Sequence, residues 1–286
     1  MFAALRPLHW AKNLLIFAAL LLAHRMGDRA RLLDAVLAFI AFSLTASGTY
    51  LINDLRDAAH DRLHPTKRDR LIASGKLSPS AATLLAVVAV LSGFAIALIV
   101  GREVAGWLAG YAVLSLTYSL VFKRRVFLDV LALSALYSIR VLAGGAAAGV
   151  EVSDWLLALS GFIFISLALL KRYADLRFLT GMGGDALPGR DYSASDVDLL
   201  RSMGVSTGML AVLVLALYLT SEQVMRLYAH PRLLWLVCPL LLYWIAHMWF
   251  LAHRGRIEDD PIVVAAKDST SYIVAGLIVL VTAAAV

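Results

Sequence analysis

The sequence predicts an all-α, polytopic membrane protein, a bundle of about nine transmembrane helices. Of its 286 residues, 61% are hydrophobic and only 16% are charged, and the mean hydropathy is +0.80. Soluble domains average about 45–50% apolar and about 25% charged residues. This composition excludes a soluble enzyme and a disordered chain, and the single cysteine, Cys238, excludes an intrachain disulfide.

Nine segments reach the length of a membrane-spanning helix, about 20 mostly apolar residues. They lie at about 8–24, 32–52, 81–100, 104–122, 126–148, 152–170, 203–220, 232–251 and 270–286. No small-residue cleavage site follows the first segment, which therefore predicts a retained helix rather than a signal peptide. We expect residues 1–286 to form a single integral membrane domain.

The basic residues predict the orientation of these spans. Of the 26 Lys and Arg residues, 19 fall on one alternate set of connections and six on the other, while Arg140 lies inside the fifth span. Because Lys and Arg are enriched on the cytoplasmic side, we expect the N-terminus to be cytoplasmic. The long connections at about 53–80, 171–202 and 252–269 then face the cytoplasm of a bacterial inner membrane, where we expect the active site.

Three carboxylates follow the second span. Asp54, Asp57 and Asp61 are spaced i, i+3 and i+7, which places them on one face of a helix. Carboxylate oxygens with this spacing suit Mg²⁺, which prefers a few carboxylates together with phosphates and water. The alternative is a solvated helix whose acids are balanced by Arg56 and Arg62.

A basic segment comes next, H-P-T-K-R-D-R from residue 64 to residue 70. Lys67 and Arg68 beside a carboxylate site are candidates for phosphate binding. The alternative is that these charges only set the membrane topology.

The motif N-D-x-x-D-x-x-x-D from Asn53, followed by H-P-T-K-R, resembles the first signature of the UbiA superfamily of intramembrane prenyltransferases. The resemblance covers essentially the whole chain and implies a helical bundle with a Mg²⁺–diphosphate site at its cytoplasmic mouth. It also implies catalytic and metal-binding roles for Asp54, Asp57 and Asp61 and a substrate-binding role for Asn53.

The second signature of that superfamily is an aspartate cluster after the sixth span, and here the sequence departs from it. Residues 171–176 are K-R-Y-A-D-L, with Asp175 as their one acid. This stretch, R-P-L-H-W-A-K-N at 6–13 and Y-S-L-V-F-K at 118–123 resemble the decaprenyl-phosphate phosphoribosyltransferases and their relatives. That branch transfers 5-phosphoribose from phosphoribosyl diphosphate (PRPP) to a polyprenyl phosphate.

The same blocks supply further site candidates. Lys171, Arg172 and Tyr173 are expected to contact substrate, and Asp175 to act with the catalytic acids; the alternative is a local Lys171–Asp175 ion pair. Lys12, Asn13, Tyr118 and Lys123 complete the set of expected substrate contacts, although a lysine at a helix end often has no such role.

Arg140 lies well inside the fifth predicted span. Because a buried cation is costly in a membrane, it is a functional candidate by default, and we expect it to bind a phosphate of the substrate. A direct pair with Asp129 is disfavoured, because eleven helical residues separate the two by about 16 Å. An ion pair with another span remains open.

These inferences predict a Mg²⁺-dependent phosphoribosyltransferase, with PRPP, a polyprenyl phosphate and the bilayer as partners and without nucleic acid. The alternative is a prenyltransferase that moves a polyprenyl group from its diphosphate to an aromatic or other acceptor. A transporter is a third hypothesis, weakened because most charges lie on one face. The sequence leaves the oligomeric state open.

Overall fold

The structure is a computed structural model that describes residues 2–62, 68–257 and 260–286. The predicted site residue Lys67 lies outside the described residues. Within them the fold is all-α, as predicted. Its helices are α1 (Phe17–Leu22), α2 (Arg29–Asp61), α3 (Pro79–Val100), α4 (Arg102–Leu120), α5 (Leu128–Ala148), α6 (Asp154–Gly181), α7 (Val197–Leu219), α8 (Glu222–Leu227), α9 (Val237–His253), α10 (Pro261–Ala265) and α11 (Ser269–Ala285).

In the described part of the chain, seven helices are long and apolar enough to cross a bilayer. They match the second to the eighth predicted spans. The first and ninth predicted spans coincide with shorter apolar helices, Pro7–Leu22 and Ser269–Ala285. The count of nine spans therefore stays a prediction, as does the cytoplasmic orientation.

Two helices extend beyond their apolar parts. The second span was predicted to end near residue 52, but α2 continues to Asp61. The sixth was predicted to end near residue 170, but α6 continues to Gly181. Hydropathy marks where a helix leaves the apolar region, whereas i, i+4 pairs such as Lys171–Asp175 allow it to continue among polar residues. The candidate acids of both segments therefore lie on helices, not on loops.

The chain divides into two compact units, and the division falls within α5. Unit 1 comprises residues 1–121 and 139–152, and unit 2 comprises residues 122–138 and 153–286. Whether the chain forms one domain stays a prediction.

In unit 1, α2 packs along α3, and the 3₁₀ segment Pro7–Ile16 packs against α2. The same segment also comes very close to the second half of α5. A Cβ atom added to Gly144 would lie 2.0 Å from the carbonyl oxygen of Ile16. Only glycine permits this approach between two backbones, which is typical of helix packing in membranes.

In unit 2, the core forms where α6, α7 and α9 meet. The ring of Trp249 on α9 lies over Gly204 of α7. The indole N–H of Trp249 donates to the Ser166 hydroxyl (3.1 Å), which in turn donates to the Gly204 carbonyl (2.7 Å). These bonds fix the helices that carry the second set of candidate site residues.

Candidate functional site: a carboxylate face in unit 1 and a buried ion-pair network in unit 2

The three predicted acids of unit 1 lie on the last three turns of α2, so their predicted helical spacing is confirmed. Asp54 and Asp57 are partly exposed, and Asp61 is buried with 5% of its surface accessible. We call these three residues the carboxylate face.

Two arginines pair with two of the three acids of this face. One guanidinium nitrogen of Arg6 lies 2.8 and 2.5 Å from the two carboxylate oxygens of Asp54. Arg70 donates from Nη1 to Asp54 (3.1 Å) and to Asp61 (2.7 Å) and so bridges the two acids. Stacked carboxylates repel each other, and these two cations offset the repulsion between Asp54 and Asp61.

Asp57 differs from its two neighbours, because it has no hydrogen bond or ion pair to any residue that the structure describes. The same holds for the side chain of Asn53. Over the described ranges, no three acidic, histidine or cysteine side chains converge as a preformed metal site. The carboxylate face therefore has the hard oxygen donors that Mg²⁺ requires, but two of its three acids are held by arginines.

A cavity of 640 Å³ opens beside the carboxylate face. Arg6, Asp54, Asp69 and Arg70 supply its charged wall. Its apolar wall contains Leu8, Leu51 and Ile72, among others. A cavity of this size with convergent charged groups suits a small polar ligand.

Arg140 belongs to unit 1 and is buried, with 3% of its surface accessible. Its Nε donates to the side-chain oxygen of Asn13 (2.7 Å), and its Nη2 donates to the Tyr111 hydroxyl (3.3 Å). Its guanidinium also lies over the Tyr111 ring, 4.6 Å from the centroid. Asn13 in turn donates to Ser43 (2.9 Å). The structure thus brings together two predicted substrate-binding residues, Asn13 and Arg140.

The other predicted residues of unit 1 lie nearer its surface. Lys12 and Tyr118 are partly exposed, and Arg68 is exposed. Substrate contact by these residues stays a prediction.

Unit 2 contains a buried ion-pair network centred on Asp129, which has no accessible surface. Its Oδ2 accepts from Nε of Arg172 (2.6 Å) and from Nη1 of Arg190 (3.1 Å). Arg172 also pairs with Asp175 (3.1 Å), which pairs with Lys171 (2.9 Å). The predicted local pair of Lys171 and Asp175 is present, as one end of this larger network.

Two residues of the network come from the loop between α6 and α7. Tyr192 is almost fully buried; its hydroxyl donates to Oδ1 of Asp129 (2.7 Å) and accepts from the Phe127 amide (2.9 Å). Burial raises the pKa of Tyr192, and the hydrogen bond to Asp129 raises it further. Tyr192 therefore remains neutral and donates a hydrogen bond to the carboxylate.

Arg190 joins this loop to the turn before α5, because its Nη1 also donates to the Lys123 carbonyl (3.4 Å). The Lys123 side chain is partly exposed. Tyr173, by contrast, is buried in the core, where its hydroxyl contacts His253 (3.0 Å) and accepts from Arg177 (3.0 Å). A substrate contact by Tyr173 stays a prediction, but its ring faces core residues such as Trp249.

Two aspartates of the last polar connection cap helices. Asp260 accepts from the Ile262 amide (3.1 Å) at the start of α10. Asp268 caps α11 by accepting from the Ser271 amide (2.7 Å), and it pairs with His247 (3.1 Å). Burial works against ionisation of Asp268, but the Ser271 and His247 hydrogen bonds outweigh it and lower its pKa.

Sequence reasoning did not assign Arg6, Arg70, Asp129, Arg190 or Tyr192 to a site. Arg70 stood in the basic segment that suggested phosphate binding, and Arg6 stood in a block that carried the family resemblance, whereas Arg190 was counted only as a topology signal. Their partners are distant in sequence: 48 residues separate Arg6 from Asp54, and 61 separate Asp129 from Arg190. No local spacing reports such contacts.

The helices that are long and apolar enough to cross a bilayer define a helical membrane protein. The chain belongs to the UbiA prenyltransferase family, whose model matches residues 14–186, more than half of its length. The predicted family resemblance is therefore confirmed.

Among its relatives, the chain is 37% identical over 276 residues to the uncharacterized protein y4nM of Sinorhizobium fredii, covering 96% of this chain and 53% of that protein. It is 38% identical over 272 residues to the nodulation protein NoeC of Azorhizobium caulinodans, covering 94% of this chain and 88% of that protein. It is 38% identical over 180 residues to the decaprenyl-phosphate phosphoribosyltransferase of Corynebacterium glutamicum, covering 62% of this chain and 54% of that protein. The chain thus spans about half the length of y4nM.

A solved UbiA homolog from Archaeoglobus fulgidus, bound to GPP and Mg²⁺, superposes with a TM-score of 0.73. The superposition covers 98% of this chain and 97% of that one, with 19% sequence identity. At this identity the likeness establishes the fold alone.

Proposed function

We propose that the protein transfers 5-phosphoribose from PRPP to a polyprenyl phosphate in a bacterial inner membrane and releases diphosphate. The observation on which this proposal depends is the difference between the two sites. Unit 1 offers a carboxylate face, whereas the corresponding segment of unit 2 has one acid, Asp175, tied to Lys171 and Arg172. The similarity to the decaprenyl-phosphate phosphoribosyltransferase of Corynebacterium glutamicum supports the same substrates.

In this proposal the carboxylate face holds the diphosphate of the donor through Mg²⁺, which the A. fulgidus homolog binds. Asp57 fits as a ligand because no described partner occupies it, and Asp54 and Asp61 fit once Arg6 and Arg70 release them. The cation's contribution is to stabilise negative charge on the leaving diphosphate. Asn53 adjoins this face and is assigned to the same diphosphate.

The chemical step exchanges one bond at ribose C1. The bond from C1 to the diphosphate oxygen breaks, and a bond from C1 to an oxygen of the lipid phosphate forms. Positive charge develops at C1 as the leaving group departs, as in glycoside chemistry. The lipid phosphate is already anionic near neutral pH, so the step requires no strong general base.

The remaining phosphates need cations rather than metal ligands. We assign Lys12, Lys67, Arg68, Lys123, Lys171 and Arg172 to the 5-phosphate and to the lipid phosphate, with Tyr118 and Tyr173 beside them. Asn13 and Arg140 are assigned to the lipid phosphate. Arginine presents a planar pair of donors that matches phosphate oxygens, whereas lysine acts as a point charge.

The second candidate function is prenyl transfer from a polyprenyl diphosphate to an aromatic or other acceptor. The observation in its favour is the fold shared with a homolog that binds GPP and Mg²⁺. It requires the diphosphate to be on the lipid, and the single acid at Asp175 offers fewer ligands for a second metal ion.

The test supplies both substrate pairs to purified protein in detergent with Mg²⁺. PRPP with a polyprenyl phosphate should yield diphosphate and a lipid-linked 5-phosphoribose, detected by mass spectrometry of the lipid fraction. A polyprenyl diphosphate with an aromatic acid should yield no prenylated product. Prenylation without use of PRPP would overturn the proposal in favour of the second candidate.

A further inference from the structure

The ion-pair network of unit 2 holds two guanidinium groups on one carboxylate. In the contacts described above, three cationic side chains, Lys171, Arg172 and Arg190, meet two carboxylates, Asp129 and Asp175. The guanidinium groups of Arg172 and Arg190 share a single carboxylate oxygen, Oδ2 of Asp129. Two guanidinium groups this close present several N–H donors side by side, an arrangement that suits the oxygens of an anion.

The two guanidinium groups differ in their access to a ligand. Arg172 is buried, with 3% of its side chain accessible, whereas Arg190 is 23% accessible. Lys171 is also 23% accessible. A ligand can therefore contact Arg190 without unpacking the core, and Arg172 lies directly behind it on the same carboxylate oxygen.

The loop between α6 and α7 is built to present Arg190 at this point. Gly189 has φ +72°, a left-handed conformation that a side chain would strain. The Leu187 amide bonds to the Tyr192 carbonyl (3.0 Å) and closes the turn around Arg190. Tyr192 then anchors the turn to Asp129, and because it is neutral it adds no negative charge beside the guanidinium groups.

We propose that Arg190, with Arg172 behind it, binds a phosphate monoester, and that Asp129 positions the two guanidinium groups for this contact. This inference rests on the proposed function, which supplies two such groups: the 5-phosphate of the sugar and the phosphate of the lipid. Adjacent guanidinium groups match the oxygens of one phosphate and require no metal ion.

The experiment compares wild-type protein with Arg190→Gln and with the matched control Arg201→Gln, which removes a half-exposed arginine paired with Asp198. Binding of ribose 5-phosphate and of a short-chain polyprenyl phosphate is measured by calorimetry in detergent without Mg²⁺. Arg190→Gln should weaken one of the two at least tenfold, while Arg201→Gln should stay within twofold of wild type.

Steady-state kinetics then identify the phosphate. A raised KM for PRPP with an unchanged KM for the lipid assigns Arg190 to the sugar 5-phosphate, and the reverse assigns it to the lipid. If Arg190→Gln leaves both affinities and both KM values within twofold of wild type, the inference is wrong, whatever the stability of the variant protein.

A separate variant tests whether the bond from Tyr192 to Asp129 positions Arg190. Tyr192→Phe keeps the ring and both arginines but removes the hydroxyl that holds the turn on Asp129. It should raise the same KM as Arg190→Gln by a smaller factor and leave kcat within twofold; a KM unchanged from wild type would refute the positioning role. If wild-type protein does not use PRPP but still binds a phosphate monoester through Arg190, the proposed function fails and this inference stands.

Discussion

Asp54 in unit 1 and Asp129 in unit 2 each accept from two arginines, but their surroundings differ. The Asp54 side chain is 15% accessible and lies beside a cavity, whereas Asp129 is fully enclosed and bonds to a buried tyrosine as well. Ion pairs near water contribute little to stability and exchange partners readily, whereas breaking a buried pair is costly. The first site is therefore suited to ligand exchange and the second to holding a fixed arrangement.

The largest expected effect concerns catalysis in unit 1. Asp57→Asn should lower turnover by about two orders of magnitude, or about 2.7 kcal/mol of transition-state stabilisation. Its unfolding midpoint should hardly change, because Asp57 has no ion pair within the described ranges. Activity and thermal unfolding in detergent are measured together, with the exposed Asp198→Asn as control. Near wild-type turnover at saturating Mg²⁺ would remove Asp57 from the metal site.

In unit 2 the same kind of change should act mainly on stability. Asp129→Asn leaves two guanidinium groups on a neutral amide, so we expect a loss of about 3–5 kcal/mol in the free energy of unfolding. The measurement is denaturant unfolding in mixed micelles. A loss no greater than that of Asp198→Asn would contradict the difference drawn between the two sites.

A third change compares the packing of the units. Gly144→Ala directs a Cβ at the rigid Ile16 backbone, whereas Gly204→Ala directs one at the Trp249 ring, 2.2 Å away. Overpacking costs about 1–3 kcal/mol, and we expect Gly144→Ala to cost more because a backbone yields less than a side chain. Gly161→Ala, with no atom within 4 Å, is the control for helix propensity. Equal unfolding midpoints for all three variants would show that neither contact is tight.

The smallest effect is expected at Asp268, whose pKa is lowered from 3.8. Because the folded-state value lies below the unfolded one, the carboxylate stabilises the fold above about pH 4, and this contribution is lost as the pH falls further. Asp268→Asn retains a capping side chain, so it should cost under about 1 kcal/mol at pH 6 and reduce the acid sensitivity. Unfolding midpoints of both proteins are measured from pH 6 to pH 3. A decrease of the midpoint with falling pH that equals that of wild type would contradict the prediction.

Within the described residues, hydropathy located all seven helices that are long and apolar enough to cross a bilayer, because burial in a bilayer demands long apolar segments whatever the tertiary structure. The i, i+3, i+7 spacing likewise sufficed to predict that Asp54, Asp57 and Asp61 share one helix face, because helical geometry is local. The arginines that hold them could not be predicted, since Arg6 and Arg70 reach these acids only through tertiary packing. The same holds for Asp129, which the sequence marked only as an unsuitable partner for Arg140.

The pairing of Arg6 and Arg70 with the carboxylate face has a thermodynamic consequence. A divalent ion that binds Asp54 or Asp61 competes with the guanidinium groups already paired there, so its apparent affinity is reduced by the free energy of any pair that it breaks. An anionic ligand in the adjoining cavity recovers part of that free energy by pairing with the released arginines. Cation and anion then promote each other's binding by the same factor, as linkage requires. Metal alone should bind weakly, and metal with diphosphate should bind tightly.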